Sequence, residues 1–586
     1  MWQKSIFFLG IGGIGMSALA RYMRAEGFSV AGYDRTPSLI TNALQAEGID
    51  VFFSEDEEYI PQPFRDKNTT LVVYTPAIPK DHPQLLYFEN NGFKIVKRAE
   101  LLGLLTSPDR GKKALCVAGT HGKTTTSTIL AHLLYSSQVG CDAFLGGISN
   151  NYNSNLLLFK DSKIQRFEIP TFVGMRRNPH AELVSASCSV SDPDLRQGED
   201  GQFTINNSEF AVEIPCQARN EGSARNEGSA RSEGSARKED CCKNFVVAEA
   251  DEYDRSFLQL QPYKAVITNC EADHLDIYGT EEAYKEAFAE FAERIVEGGV
   301  LLRHTSVKLR PLKNNIRQYT YAVCREGEKT DADFFADNIR IKDSKIYFDF
   351  HLRDSALRQN DGGEPTTTSL KDLCLGVPVL VAVEDSVAAV AVALMCGVER
   401  DEIYKALASY SGVYRRFNVL FNNGTVVYID DYAHHPTEIA ATISSVRSLY
   451  PKKRIVGIFQ PHLYTRTRDF ADDFAAVLAS LDEVVLMPIY PAREEPIEGI
   501  DSNFLKRKIE KLNPKVSVMS KDEICDLAKD FKDGILLTLG AGNIENMRNL
   551  ISSQLTLMLN SFQHLIPFID PDLRQGEDLQ STIERE

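Results

Sequence analysis

The stretch "VAGTHGKTTT", Val117 to Thr126, joins an apolar run, "KALCV", to a run of helical character, "STILAHLLY". Glycines at Gly119 and Gly122 permit a tight turn, so that backbone N–H groups and the start of the helix face one anionic site. Lys123 can then reach the β- and γ-phosphates of a nucleotide, and the Thr124 hydroxyl can bind Mg²⁺. The pattern predicts a phosphate loop for ATP, with an ordinary strand-to-helix turn as the alternative. It does not identify the phosphoryl acceptor.

The N-terminal segment carries a second nucleotide-binding pattern. The strand "SIFFLGI" is followed by Gly10-x-Gly12-x-x-Gly15, a helix, and a second strand, "SVAGYD", that ends in Asp34. Such glycines admit a diphosphate to the helix N-terminus, and an acid about twenty residues later can meet a ribose or a base. The same glycines interrupt the apolar opening, so no signal peptide is expected. Residues 1–108 are therefore predicted to form a Rossmann-like α/β domain.

Polar clusters follow two strands of the next predicted domain, residues 109–412. The stretch "NFVVAEADEYD" places Glu249 after an apolar run, and "KAVITNCEADHLD" places His274 after another. Oxygen-rich strand ends that face a phosphate loop suit Mg²⁺, which must bridge phosphate oxygens during transfer. Solvated acidic loops are the alternative.

The C-terminal part returns to the βα pattern. Four runs such as "TVVYIDDYAHHPTEI" and "RIVGIFQPHLYTRT" each join a β-rich stretch, a polar loop and a helical stretch. Residues 413–560 are therefore predicted to form a third α/β domain, whose polar loops lie at the carboxyl ends of strands.

Two regions have a different composition. Residues 164–242 contain the tandem "ARNEGS ARNEGS ARSEGS ARKED", and "DPDLRQGED" at 192–200 recurs at 570–578 in the tail, 561–586. Such polar repeats cannot bury enough apolar surface to order a chain, and both regions are predicted to be disordered. Because longer surface loops cost little, deletion of 165–241 is expected to preserve activity.

Composition excludes several classes of partner. The formal charge of −17 and the absence of a basic stripe argue against nucleic acid. No run reaches the roughly 18 apolar residues that a membrane span needs. Eleven cysteines without paired spacing favour a reduced, cytoplasmic protein.

Seven motifs occur in an order that resembles the Mur ligase family. They are "GIGGIGMSALA", "GTHGKTTT", "EADEYDRSF", "TNCEADHLD", "SGVYRRF", "DDYAHHPTEI" and "FQPHLYTRT". The resemblance covers residues 1–163 and 243–560. It implies an α/β protein of three domains: an N-terminal Rossmann-like domain for a UDP-sugar, a central P-loop ATPase and a C-terminal Rossmann-like domain.

The resemblance also implies an activity. The γ-phosphoryl group of ATP would pass to the lactyl carboxylate of UDP-N-acetylmuramate, and the amine of L-alanine would attack the resulting acyl phosphate. Mg²⁺ is the implied cofactor, and a monomer or weak homodimer is expected. A murein-peptide ligase acting on the same sugar and an inactive nucleotide-binding module are the alternatives.

Site residues are carried over motif by motif. The resemblance gives catalytic roles to Lys123, His462 and Arg466, and assigns UDP-sugar contacts to Gly12, Gly13, Ile14 and Asp34. Metal ligation falls to Thr124, Glu249 and His274. Contacts to ATP fall to Gly119, Thr120, His121, Gly122, Lys123, Thr124, Thr125, Asp385, Arg416 and Asp431.

One motif departs from the family pattern. Family members commonly carry His-Asn-x-x-Asn, whose asparagines recognise adenine, but Ala382 and Asp385 occupy those positions here. Alanine cannot hydrogen-bond through its side chain, and an ionised aspartate only accepts. We therefore expect weakened adenine recognition and a lower KM for ATP in Asp385→Asn.

Overall fold

The computed structural model describes residues 4–159, 244–271, 275–313, 315–342, 345–353, 367–492 and 494–563. The predicted insertion at 164–242, most of the predicted tail and His274 lie outside these residues. The chain divides into two compact units, Met1–Tyr414 and Arg415–Glu586. Each is described by itself.

The first unit begins with a parallel sheet in the order β3-β2-β1-β4-β5. β1 is buried along its whole length, because hydrophobic clusters cover both faces of the sheet. The elements are β1 (Ser5–Leu9), α1 (Ile14–Ala25), β2 (Ser29–Tyr33), α2 (Leu39–Ala46), β3 (Asp50–Phe52), β4 (Thr70–Tyr74), α3 (Pro83–Asn90), β5 (Lys94–Lys97) and α4 (Arg98–Leu105).

The same unit contains a ten-stranded sheet in the order β15-β14-β13-β12-β11-β10-β6-β9-β7-β8. Its strands are β6 (Lys113–Ala118), β7 (Asp142–Ser149), β8 (Ser154–Leu157), β9 (Phe245–Glu249), β10 (Lys264–Ile267), β11 (Val300–His304), β12 (Arg317–Val323), β13 (Phe334–Lys342), β14 (Lys345–Arg353) and β15 (Thr367–Leu375). Its helices are α5 (Lys123–Tyr135), α6 (Leu275–Tyr278), α7 (Glu281–Glu293), α8 (Val381–Met395) and α9 (Arg400–Ser409).

Packing on the ten-stranded sheet explains where the phosphate loop lies. Helices α5 and α8 share one apolar cluster on one face, and α7 packs into a second cluster. Strands β9, β6 and β10 are parallel neighbours, so their carboxyl ends meet at one edge. The loop between β6 and α5 therefore lies beside the polar residues that follow β9 and β10.

The second unit is built on a six-stranded sheet in the order β16-β17-β21-β18-β19-β20, with only β16 antiparallel to its neighbour. Its strands are β16 (Asn418–Asn422), β17 (Val426–Asp431), β18 (Ile455–Phe459), β19 (Glu483–Leu486), β20 (Val516–Val518) and β21 (Gly534–Leu539). Its helices are α10 (Pro436–Leu449), α11 (Tyr464–Asp469), α12 (Ala471–Leu478), α13 (Ser502–Ile509), α14 (Lys521–Asp530) and α15 (Met547–Gln563).

The predicted α/β class, with three parallel-sheet layers of Rossmann and P-loop type, is confirmed. Sequence reasoning did not anticipate the antiparallel extension formed by β13, β14 and β15. Among the described residues, every helix is too short or too polar to cross a membrane.

Candidate active site

The phosphate loop is held by contacts on both sides. The His121 amide donates to Asn269 Oδ1 at 3.0 Å, and Thr120 Oγ1 donates to the Glu271 carbonyl at 2.7 Å. Gly122 caps α5 with φ +79°, and a Cβ there would lie 2.5 Å from Asp385 Oδ1. Both the left-handed backbone and the close approach therefore require glycine. Thr125 lies in the first turn of α5.

Lys123 points back along its own loop. Its Nζ donates to the Gly119 carbonyl at 2.5 Å, to the Thr120 carbonyl at 3.2 Å and to Glu252 Oε1 at 2.8 Å. Burial raises the pKa of Glu252 to about 7, outweighing the opposing effect of Lys123. Sequence reasoning did not select Glu252, although it lies within the motif "EADEYD".

The oxygen ligands predicted for a metal meet at the end of β9. Thr124 Oγ1 donates to Glu249 Oε1 at 3.1 Å. A hydroxyl and a carboxylate oxygen in contact suit Mg²⁺, which typically takes one or two protein ligands and completes its shell with water and phosphate. Accordingly, the described residues contain no cluster of three His, Cys, Asp or Glu side chains around one metal position. His274, the third predicted ligand, is outside the described residues.

Asp385 lies on α8 against the phosphate loop. Its Oδ1 accepts a hydrogen bond from Thr126 Oγ1 at 2.9 Å, and the residue is buried. Ala382, one turn earlier, is also buried. The structure thus places the carboxylate beside the loop glycine, while its predicted contact with adenine stays a prediction.

The N-terminal glycine turn is closed by the predicted acid. Asp34 Oδ2 accepts a hydrogen bond from the Gly12 amide at 2.8 Å. Gly13 is the N-cap residue of α1, and Ile14 is its first helical residue. The three turn residues and Asp34 therefore lie together at the start of α1, where a diphosphate is expected.

In the second unit, Asp431 is fully engaged inside the fold. Its carboxylate accepts hydrogen bonds from the Phe417 amide at 3.2 Å, the Ala433 amide at 2.9 Å and Thr442 Oγ1 at 3.0 Å. Burial raises the pKa of Asp431 to about 6. Arg416 lies 3.7 Å from Glu438 Oε1. The contacts of both residues with ATP stay predictions.

His462 lies in an aromatic cluster. Its ring stacks on Tyr490 with 5.6 Å between centroids, and the His434 ring meets it edge-on at 6.0 Å. Burial lowers the pKa of His434, with Arg466 acting in the same direction and Glu438 against it. Arg466 is half-buried on α11. Sequence reasoning missed His434 and Tyr490, although His434 lies within "DDYAHHP".

Comparison with protein-family models gives the class. Residues 5–110 match the Mur ligase family, catalytic domain; residues 235–359 match the Mur ligase middle domain; and residues 415–542 match the Mur ligase, glutamate ligase domain. The chain belongs to the Mur ligase family.

Two relatives of known name are similar to the chain over most of its length. The chain is 42% identical over 548 residues to the UDP-N-acetylmuramate–L-alanine ligase of Porphyromonas gingivalis, covering 93% of this chain and 97% of that protein. It is 42% identical over 546 residues to the ligase of the same name from Phocaeicola vulgatus, with 93% and 96% covered.

Solved structures agree in fold. The UDP-N-acetylmuramate-alanine ligase of Thermotoga maritima is 21% identical, with a TM-score of 0.64 over 96% of this chain and 99% of that one. A murein peptide ligase of Psychrobacter arcticus is 19% identical, with a TM-score of 0.54 over 94% and 98%. At these identities the likeness concerns the fold alone.

Proposed function

We propose that the chain is an ATP-dependent ligase that joins L-alanine to the lactyl carboxylate of UDP-N-acetylmuramate, releasing ADP and phosphate. The 42% identity over 93% of the chain to two ligases of that name carries the proposal. The contact of Thr124 with Glu249 beside Lys123 adds a site suited to Mg²⁺-ATP. The proposed reaction is a step in the synthesis of peptidoglycan precursors.

Each of the three proposed domains has its own role. Residues 1–108 hold the UDP-sugar, 109–412 hold ATP, and 413–560 form the C-terminal α/β domain, followed by the tail 561–586. The separate family matches and the boundary between Tyr414 and Arg415 support this division. Gly12, Gly13 and Ile14 meet the diphosphate of the sugar nucleotide, and Asp34 lies at the nucleoside side.

The first chemical step brings one anion to another. A carboxylate attacks a triphosphate only where cations and N–H donors offset the charge that builds up during transfer. The loop residues from Gly119 to Thr125 supply amide donors at the start of α5, and Lys123 supplies a cation. Lys123 must turn from Glu252 and the loop carbonyls toward the phosphates, which lie beyond the same loop.

The donor set for the metal is Thr124 and Glu249, with His274 as the proposed third ligand. Bound Mg²⁺ would supply positive charge that offsets the charge of the phosphate oxygens during transfer. The protein holds Glu249 for this task at the end of a buried strand, so that its carboxylate needs little reorganisation.

In the second step the amine of L-alanine attacks the acyl carbon, and phosphate leaves from a tetrahedral intermediate. Arg466 and His462 are proposed to hold the acyl phosphate or the incoming alanine, since both offer N–H donors to anionic oxygens. Arg416 and Asp431 are proposed to contact the nucleotide. The enzyme is proposed to act in the cytoplasm, as a monomer or weak homodimer.

The test is detection of the product. The full-length protein is incubated with Mg²⁺-ATP and UDP-N-acetylmuramate, together with either L-alanine or the tripeptide that a murein-peptide ligase uses. Mass spectrometry is expected to find the alanyl amide of the UDP-sugar with L-alanine alone. A product with the tripeptide only would establish the murein-peptide ligase instead, and Lys123→Met serves as the inactive control.

A further inference from the structure

The segment that follows β9, residues 250–254, forms ion pairs with basic residues that lie beside two different sheets. Its three acidic side chains each form an ion pair: Asp251 with Arg98 at 2.7 Å, Glu252 with Lys123 at 2.8 Å, and Asp254 with Lys97 at 2.7 Å. Lys97 and Arg98 belong to the N-terminal layer, whereas Lys123 belongs to the phosphate loop. The segment therefore contacts the junction of β5 and α4 in the N-terminal layer as well as the phosphate loop.

Arg98 also lies against the first turn of α1. Its Nη1 lies 2.5 Å from the position that a Cβ would take on Gly15, the second residue of α1. Its Nη2 donates to Asp251 Oδ2. One planar guanidinium thus spans the distance from the first turn of α1 to the segment after β9, and the absence of a side chain on Gly15 makes room for it.

This position is electrostatically unfavourable for a cation alone. The N-terminus of a helix carries a partial positive charge and attracts anions. In the described structure, Asp251 is the anion that neutralises Arg98 there. An arriving diphosphate would offer the guanidinium a second, more highly charged partner, which a guanidinium can bind through two parallel N–H donors.

We propose that Arg98 couples the two phosphate sites: an anionic diphosphate at the start of α1 draws the guanidinium away from Asp251, and the released carboxylate favours Mg²⁺-ATP beside Glu249. The inference rests on the proposed UDP-sugar site at α1. Arg98 acts as a positioning residue, because it works through Asp251 and not on the reacting atoms.

The geometry gives the direction of the coupling. Arg98, Asp251 and Glu249 line one small cavity together with Ser256. Two changes make the electrostatic potential around Thr124 and Glu249 more negative. The Arg98 cation leaves this cavity, and the Asp251 carboxylate, two residues from Glu249, becomes exposed. This added charge lies on the side of the loop where Glu249 contacts Thr124, so it strengthens binding of the divalent cation, whereas the Asp385 carboxylate lies against Gly122. Because coupling is reciprocal, Mg²⁺-ATP strengthens UDP-sugar binding by the same factor.

The experiment measures the dissociation constant of Mg²⁺-β,γ-methylene-ATP by calorimetry on the full chain, with and without saturating UDP-N-acetylmuramate. The unaltered protein is expected to bind the analogue at least about fivefold more tightly when the sugar is present. In Asp251→Asn and in Arg98→Lys, whose single ammonium cannot span both contacts, this factor is expected to fall to about one. Gly15→Ala, which displaces Arg98 without changing charge, is expected to reduce it.

Lys97→Met is the matched control. It breaks the neighbouring ion pair, with Asp254, and leaves in place the contacts of Arg98 with Gly15 and Asp251, so the coupling factor is expected to persist. Equal loss of coupling in Lys97→Met would show that any ion pair holding the segment after β9 suffices, and would overturn the inference. So would a factor near one in the unaltered protein that still binds the sugar, or an unchanged factor in Asp251→Asn. Failure of the sugar to bind at all would overturn the proposed site and the inference together.

Discussion

Asp385→Asn removes a negative charge beside the phosphate loop and keeps the local shape. The carboxylate lies 2.5 Å from the position of a Cβ on Gly122 and accepts a hydrogen bond from Thr126. Asparagine retains an acceptor oxygen for the Thr126 hydroxyl and adds a donor. The fold is therefore expected to persist, while the loop repels ATP less and the asparagine amide offers ATP a hydrogen-bond donor.

The size of the effect follows from the separation of charges. For a carboxylate and a phosphate oxygen separated by roughly 6 Å, unit charges repel by about 3 kcal/mol at an effective dielectric constant of about 20. Lys123 and a bound cation offset most of this repulsion. The repulsion that remains, and that Asp385→Asn removes, is about 1 kcal/mol. This corresponds to an approximately fivefold lower KM for ATP.

The assay is steady-state ADP release with saturating L-alanine and UDP-N-acetylmuramate and varied Mg²⁺-ATP. Thr126→Val is the control, because it removes the same hydrogen bond and leaves the charge in place; its KM is expected not to fall. An unchanged or raised KM in Asp385→Asn would show that the Asp385 carboxylate does not weaken ATP binding.

Three further predictions concern the same unit. Glu249→Gln keeps the size of the side chain but removes the carboxylate, so alanine-dependent ADP release is expected to fall by at least about 100-fold and to recover partly at high Mg²⁺; full activity at ordinary Mg²⁺ would exclude Glu249 as a ligand. The pKa of Glu252 is raised from 4.5 to about 7, so the folded state binds this proton more tightly than the unfolded state does. As pH rises from about 4.5 to 7, the Glu252 carboxyl therefore lowers the free energy of unfolding progressively. Glu252→Gln should therefore gain stability relative to the unaltered protein between pH 5 and pH 8, by up to about 3 kcal/mol, in melting curves; a pH-independent difference would contradict this. Deletion of residues 165–241 is expected to leave ADP release intact, and loss of activity in a folded deletion variant would show that the segment contributes to function.

Local patterns sufficed to predict much of the fold. The turn and helix around Lys123 and the glycine turn before α1 are specified by residues within about fifteen positions of one another, so composition and spacing identify them. Strands β13, β14 and β15 were not anticipated. Their pairing depends on contacts across the edge of a sheet, and no short motif marks such an edge.

Motifs identify candidate site residues, but they do not indicate contacts between distant residues that carry no motif. Thr124 and Glu249 are 125 positions apart, and the two motifs predicted both as metal ligands; the structure brings their side chains into contact, while metal binding stays a prediction. Arg98 and Asp251 are 153 positions apart, and nothing in the local sequence of Arg98 indicates its partner. Burial, which raises the pKa of Glu252, is likewise a property of the folded chain and not of the motif.

The most direct test of the central claim is ADP release by the purified full-length chain with Mg²⁺-ATP and UDP-N-acetylmuramate, measured with and without L-alanine. Release is expected to depend on both the sugar nucleotide and L-alanine, and Lys123→Met is expected to abolish it. Absence of alanine-dependent release from protein that still binds the sugar nucleotide would exclude the ligase activity and leave a nucleotide-binding module.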